Sequence, residues 1–93
     1  MAVIHRRVEI VNASGLHLRA ACQLVHLARQ FQADVRVRRD GVAVDGKSVL
    51  DLTTLAAECG TRLDVEASGQ DAEAAIVALC ALIESGFHHN DGG

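Results

Sequence analysis

Residues 62–67 read Arg62-Leu63-Asp64-Val65-Glu66-Ala67, in which polar and apolar side chains alternate without a break. Successive side chains of a strand point to opposite faces, so this alternation predicts a strand with one wet and one buried face. Strands of a parallel sheet are covered on both faces and read as continuous apolar runs. The stretch therefore favours an antiparallel sheet that helices cover on one side, the α+β class.

Similar patterns on either side of this strand predict the order β-α-β-β-α-β-α. Alternation predicts strands at residues 3–11, 33–39 and 42–44, and Asp40-Gly41 predicts a hairpin turn between the last two. Apolar residues spaced three and four apart predict helices at about 18–30 and 72–85. Ser48 predicts the cap of a short helix that reaches about Leu55. We expect one domain at residues 1–87 and a flexible tail at 88–93.

The composition of the 93-residue chain, 49% apolar and 23% charged, is typical of a small globular domain. Two Phe and no Trp or Tyr leave no aromatic platform for nucleic-acid bases. Residues 1–46 carry seven Arg against four acidic residues, whereas the whole chain has a net charge of −3. A basic half on an acidic protein favours an acidic protein partner, and no nucleic-acid partner is expected.

No apolar run reaches the roughly 18 residues that span a bilayer, and no basic, apolar leader opens the chain. We therefore expect a cytoplasmic protein without membrane insertion. The three cysteines lie far apart and form no C-x-x-C pair, so we expect reduced, partly buried thiols at Cys22, Cys59 and Cys80. His88-His89 has no third ligand placed by the sequence, and we expect no metal site.

Chemistry is concentrated in Asn12-Ala13-Ser14-Gly15-Leu16-His17-Leu18-Arg19, where a strand ends, a glycine turn follows and a helix begins. Free N–H groups and the positive end of the helix dipole favour an anion there. The same positive end disfavours imidazolium, so we expect a neutral His17 with a lone pair free for attack. Arg19 can pair with phosphoryl oxygens through its planar guanidinium. These features suggest phosphoryl transfer through a phosphohistidine, whereas a plain cap or surface role is the alternative.

Three stretches carry a family resemblance. Gly15-Leu16-His17-Leu18-Arg19 resembles the active-site loop of HPr, the histidine-containing phosphocarrier of the phosphoenolpyruvate-dependent sugar phosphotransferase system, where the pattern is Gly, Leu or Ile, His, Ala, Arg, Pro. Gly46-Lys47-Ser48-Val49-Leu50 resembles the second signature of that family. Ala67-Ser68-Gly69-Gln70-Asp71-Ala72 resembles the stretch before its last helix. The resemblance covers roughly residues 3–87 at the spacing of the family.

The resemblance implies an open-faced β-sandwich, in which three helices cover one side of a four-stranded antiparallel sheet. It implies that His17 takes a phosphoryl group on Nδ1 from enzyme I and passes it to a IIA protein. Arg19 would steady the phosphoryl group, and the backbone amides of Leu18 and Arg19 would bind its oxygens. Such a chain is a carrier rather than an enzyme, needs no cofactor and is expected to be a monomer.

Two residues depart from the family pattern. Leu18 stands where Ala is usual and adds an apolar side chain beside His17. Ala20 stands where Pro is usual, and it restores a backbone donor near the phosphate. We expect a changed transfer rate or partner preference, with the phosphoryl acceptor retained. The departures leave open a specialised branch of the system, such as the nitrogen-related one.

The second signature has structural and functional interpretations. Ser48 is a helix cap and, by resemblance, a regulatory serine for HPr kinase/phosphorylase. The expected partner-docking surface is apolar with a positively charged edge. For Leu50 the sequence leaves core and docking equally open, and for Val49 it favours docking. The residues of this surface are Leu18, Arg19, Lys47, Val49, Leu50 and Thr53.

Two rival functions remain at this point. One is an HPr-like regulatory module that works through Ser48 without phosphoryl transfer by His17. The other is a small acylphosphatase-like hydrolase that uses Arg19 and Asn12 on a substrate and its water.

Overall fold

Four strands and three helices follow the predicted order in the computed structural model, which describes residues 2–88. The strands are β1 (Val3–Glu9), β2 (Asp34–Arg39), β3 (Val42–Asp45) and β4 (Arg62–Ser68). The helices are α1 (Leu18–Ala28), α2 (Val49–Thr54) and α3 (Ala72–Glu84). Gly86 follows the last helix with a φ of 84°, a left-handed conformation that glycine adopts without strain and that ends a helix.

The sheet is antiparallel throughout, in the order β1-β4-β2-β3, so the predicted α+β fold is confirmed. The alternation in β4 places its acids on the open face, where they pair across strands. Asp64 lies 3.1 Å from Arg7 and Glu66 lies 3.2 Å from Arg38. The other face of β4 is apolar and buried under the helices through Leu63, Val65 and Ala67.

Helices α1 and α3 supply a large part of the core through the predicted apolar stripes. The buried residues of α1 are Ala20, Ala21, Leu24, Val25 and Ala28, and those of α3 are Ala72, Ala75, Ile76, Leu79, Cys80, Leu82 and Ile83. Burial raises the pKa of the Cys80 thiol. Cys22 and Cys59 are exposed, so the expectation of partly buried thiols is wrong for these two.

The end of the described chain is attached to α1. The side-chain amide of Gln23 donates to the carbonyl of His88 and accepts from its N–H, both at 2.8 Å. His88, the first residue of the predicted flexible tail, is thus bonded to α1, and residues 89–93 lie outside the described residues. Within residues 2–88, no helix is long and apolar enough to cross a membrane, and no three His, Cys, Asp or Glu side chains are placed to hold a metal ion.

Two charged side chains stabilise the turn after α1. The carboxylate of Asp71 accepts from the backbone N–H groups of Gln32 and Ala33, at 2.9 and 2.8 Å. The ammonium of Lys47 donates to the carbonyl of Phe31 at 2.8 Å. The hydrogen bond from the Gln32 N–H is the main cause of the lowered pKa of the Asp71 carboxyl group. Residues far apart in sequence thus fix the entry of the chain into β2.

We expect Asp71→Asn to flatten the pH dependence of stability. Because the folded protein lowers the pKa of Asp71, this carboxylate stabilises the fold above its unfolded pKa, near 3.9, and the effect is lost as pH falls through the lower folded value. The urea midpoint of the wild type should exceed that of the variant at pH 7, and the two should converge toward pH 2. Midpoints that stay equally far apart at every pH would show that Asp71 does not stabilise the fold through its charge.

Candidate functional site

His17 occupies the N-cap position of α1, with an extended backbone and an exposed side chain. Its Nδ1 accepts a hydrogen bond from the backbone N–H of Arg19 at 3.2 Å. A ring nitrogen that accepts a hydrogen bond carries a lone pair, so the proton of the neutral ring sits on Nε2. The structure therefore places an accessible imidazole at the positive end of the helix, with Nδ1 as its unprotonated nitrogen.

Hydrogen bonds of buried groups hold the loop before His17 in place. Asn12 is 7% exposed, and its Nδ2 donates to the carbonyl of Gly15 at 2.8 Å. The N–H of Gly15 donates back to the Asn12 carbonyl at 3.0 Å, and the N–H of Leu16 donates to the carbonyl of Ala57 at 2.8 Å. Leu16 is buried, whereas the next residue, His17, is exposed. These hydrogen bonds anchor the loop to the interior, and the imidazole of His17 is exposed to solvent.

The first turn of α1 is an uncompensated positive region. It contains no acidic residue, and Arg19 makes no ion pair with any of the described side chains. The Arg19 side chain is exposed two residues after His17. An anion bound at Nδ1 would meet backbone N–H groups and a free guanidinium. The His17 imidazole and the Arg19 side chain are thus both exposed at the start of α1.

Only two of the predicted docking residues are exposed apolar side chains. Leu18 is 63% and Leu50 is 78% exposed, and their helices α1 and α2 pack against each other. Val49 is half-buried against the core, whereas its neighbour Leu50 is exposed. The Lys47 ammonium binds Phe31, as described above, and the Thr53 hydroxyl donates to the Leu50 carbonyl at 2.8 Å.

Ser48 caps α2 as predicted. Its hydroxyl oxygen accepts from the backbone N–H of Asp51 at 3.2 Å. The carboxylate of Asp51 accepts in turn from the N–H of Asp45 at 3.3 Å. These bonds define the start of a six-residue helix that is too short to persist alone.

Comparison with known proteins decides the family. The family described as "PTS HPr component phosphorylation site" matches residues 4–85 of this chain. The chain belongs to the HPr family. It is 44% identical to the phosphocarrier protein NPr of Proteus mirabilis over 84 residues, which cover 89% of this chain and 93% of that protein.

Two further relatives agree with this assignment. The phosphocarrier protein HPr of Cupriavidus necator is 39% identical over 85 residues, covering 91% of this chain and 96% of that protein. A crystal structure of HPr from Thermoanaerobacter tengcongensis superposes with a TM-score of 0.89 at 35% identity and covers 95% of this chain and 99% of that one. As a member of the HPr family, the chain is a phosphocarrier of the phosphotransferase system. The resemblance inferred from the sequence is confirmed.

The structure accommodates one of the departures from the HPr pattern in the core and the other on the surface. Ala20 is fully buried, so its methyl group fills a core position in the first turn of α1. Leu18 lies at the surface and enlarges the apolar area next to His17. The hydrolase alternative needs an accessible Asn12, but this side chain is buried, with Nδ2 bonded to Gly15 and Oδ1 enclosed without a partner among residues 2–88.

Sequence patterns did not reveal the support beneath the HPr loop. The sequence placed Asn12 in a turn and in the rival hydrolase site but not beneath the loop, although Asn side chains commonly bond to nearby backbone groups. The Ala57 carbonyl, which binds the N–H of Leu16, leaves no trace in sequence because every residue has such a group.

Proposed function

We propose that His17 accepts a phosphoryl group from enzyme I on Nδ1 and passes it to a IIA protein. The observation that carries the proposal is the exposed N-cap imidazole whose Nδ1 faces the N–H of Arg19 at 3.2 Å. Attack by the Nδ1 lone pair forms a P–N bond while the bond between phosphorus and the donor breaks. The intermediate is a phosphohistidine, and the chain works as a monomer in the cytoplasm.

Phosphorylation of Nδ1 frees the backbone N–H of Arg19, which donates to Nδ1 in the unphosphorylated protein. Once the lone pair forms the P–N bond, the N–H of Arg19 no longer has an acceptor on the ring and can donate to a phosphoryl oxygen. The N–H of Leu18 and the guanidinium of Arg19 bind the other oxygens. The neighbouring dipole therefore stabilises the charged product, while transfer to a IIA protein regenerates the neutral ring.

The test is intact-mass measurement after incubation with phosphoenolpyruvate and enzyme I, before and after acid. The wild type should gain one acid-labile phosphoryl group, and the His17→Ala variant should gain none. A His17→Ala protein that still gains the acid-labile group would overturn the proposal. A gain that survives acid would place the phosphate on a hydroxyl residue instead.

Ser48 is a second proposed site, for phosphorylation by HPr kinase/phosphorylase. Its half-buried hydroxyl binds the Asp51 N–H, so a phosphate there would stay at the start of α2, close to two carboxylates, those of Asp45 and Asp51. Incubation with ATP and the kinase should add an acid-stable phosphate to the wild type and none to Ser48→Ala. An acid-stable gain on Ser48→Ala would exclude the site.

The branch of the system is tested by the acceptor protein. Relatives named NPr and HPr are similar to this chain at 44% and 39% identity, so the nitrogen-related branch stays a candidate beside the sugar branch. Phosphorylated protein should be offered to IIA proteins of both branches at equal concentration. Faster loss of the phosphoryl group to one of them identifies the branch.

For docking, we propose an apolar patch formed by Leu18 and Leu50, with Arg19 at its edge. Both leucines are more than half exposed, Leu18 directly follows His17, and the helices that carry them pack against each other. Exposed apolar patches are typical contact sites. Of the other predicted docking residues, Lys47 binds the turn after α1, Val49 packs on the core and Thr53 is bonded within α2, so we leave them outside the proposed patch.

We expect Leu50→Ser to weaken the binding of enzyme I about tenfold without changing stability, because its side chain is 78% exposed in the free protein. Titration calorimetry measures the affinity and urea unfolding the stability. Val77→Ser is the matched control, since Val77 is an exposed valine on α3, 52% exposed, outside the patch. Equal affinity of the Leu50→Ser variant and the wild type would remove Leu50 from the docking surface.

A further inference from the structure

Arg39, the last residue of β2, binds the turn that follows α2. Its Nη1 donates to the carbonyls of Leu55 and Ala56 at 2.7 and 2.8 Å. The side chain is about two-thirds buried, and its Nε lies 3.7 Å from a carboxylate oxygen of Asp40. A cation that satisfies the last carbonyls of a helix stabilises the end of that helix.

This turn has a strained backbone. Ala56 has a φ of +51°, a left-handed conformation that costs a residue with a Cβ roughly 1–2 kcal/mol. Such a conformation persists only where surrounding contacts enforce it. The two bonds from Arg39 are made to Ala56 and its predecessor, so they act on the strained peptide itself.

The next carbonyl along this turn supports the acceptor loop. The carbonyl of Ala57 accepts from the N–H of Leu16 at 2.8 Å, and Leu16 immediately precedes His17. A continuous chain of contacts therefore runs from the Arg39 guanidinium through residues 55–57 to the backbone that carries the imidazole. Each step is a hydrogen bond or a peptide bond.

We propose that Arg39 is a positioning residue for His17. It holds the strained 55–57 turn so that the Ala57 carbonyl stays in place to bind Leu16. Without Arg39 the turn is free to relax, the Leu16 bond opens more often, and His17 spends less time in the geometry for in-line transfer. The proposal rests on the proposed role of His17 as phosphoryl acceptor.

The position of Arg39 on its strand separates it from its neighbour Arg38. Because strand side chains alternate, Arg38 lies on the open face, where it pairs with Glu66, whereas Arg39 reaches the opposite side and α2. Arg38 is therefore a matched control with the same side chain and the same strand.

The experiment compares Arg39→Met, Arg39→Lys and Arg38→Met by two measurements. The first measurement is the amide hydrogen exchange rate of Leu16, compared with the rates of the amides in the central strand β4. The second is the rate of phosphoryl transfer from enzyme I, with the binding affinity for enzyme I determined separately. For Arg39→Met we expect Leu16 exchange to rise about tenfold more than that of β4, and transfer to slow about tenfold with affinity within about twofold. Arg39→Lys should restore most of both, because an ammonium has three donors. Arg38→Met should change neither.

If amide exchange accelerates equally at Leu16 and in β4 of the Arg39→Met variant, Arg39 contributes only to the stability of the whole fold. This result would overturn the proposal. If that variant does not fold, Arg39→Gln replaces it with the same expectations. If the wild type accepts no phosphoryl group, the proposed function fails, and Leu16 exchange still decides whether Arg39 supports the loop. If His17→Ala abolishes acceptance and Arg39→Met leaves the rate unchanged, the function stands and the positioning role is lost.

Discussion

Gly15→Ala is expected to lower the free energy of unfolding by about 3 kcal/mol and to slow phosphoryl acceptance by His17 about 100-fold. Gly15 has a φ of +68°, which costs alanine roughly 1–2 kcal/mol. A Cβ on Gly15 would lie 2.5 Å from the Ala57 carbonyl oxygen and 2.9 Å from the Glu58 Cα. Both contacts are with backbone, so no side-chain rotation relieves them, and the bond from Leu16 to Ala57 must lengthen or break.

The steric part of this effect can be separated from the conformational part. Gly41 has a φ of +85°, and a Cβ there would meet no atom within 4 Å. Gly41→Ala should therefore lower the free energy of unfolding by only about 1 kcal/mol and leave phosphoryl acceptance unchanged. Thermal unfolding should show a melting temperature about 15 °C lower for the Gly15→Ala variant and about 5 °C lower for the Gly41→Ala variant. Equal losses for the two variants would contradict the role given to the contact with Ala57.

The strands could be predicted from sequence because their pattern is local. In β4, alternation over six residues specifies both the element and the face that it buries, and the structure keeps this assignment from Leu63 to Ala67. Asp40-Gly41 also marks its hairpin locally, since both residues adopt a positive φ. Such signals depend on neighbouring residues in sequence, and the tertiary contacts of the folded protein agree with them.

Helix α2 shows why the docking surface could not be assigned in the same way. Its six residues form fewer than two turns, so an apolar stripe has no room to repeat. Val49 and Leu50 are adjacent and equally apolar, and only packing against the rest of the protein decides which is exposed. The structure turns Val49 toward the core and Leu50 outward.

The support of the site could not be predicted because its partners are distant and partly backbone. Lys47 was expected at the docking surface, but its ammonium binds the Phe31 carbonyl, 16 residues away in sequence. Arg39 binds two carbonyls at the end of α2, and a side chain of this kind gives the same sequence signal whether it meets solvent or a helix end. The candidate acceptor His17 was recognisable by its motif, whereas the hydrogen bonds beneath its loop depend on the complete fold.

Arg19→Met is expected to slow phosphoryl acceptance about 100-fold while raising the free energy of unfolding by about 0.5 kcal/mol. The two effects have opposite signs because Arg19 places a positive charge at the positive end of α1, where the first turn has no acid to balance it. In the unphosphorylated protein this charge is unfavourable. It becomes favourable only when a phosphoryl group on His17 brings negative charge to the same place.

Arg29 provides the control, because it is the C-cap residue of the same helix. A cation at the negative end stabilises the helix, and Arg29 Nη2 also donates to the carbonyl of Lys47 at 3.4 Å. Arg29→Met should therefore lower the free energy of unfolding by about 0.5 kcal/mol or more and leave the transfer rate unchanged. Urea unfolding at low ionic strength and single-turnover transfer from enzyme I measure the two quantities, with binding affinity determined separately. If Arg19→Met lowers stability as Arg29→Met does, or transfers at the wild-type rate, Arg19 is an ordinary surface residue. Opposite signs of the two stability changes, together with slow transfer in the Arg19→Met variant alone, would show that the guanidinium is placed for the phosphorylated state at the expense of the resting one.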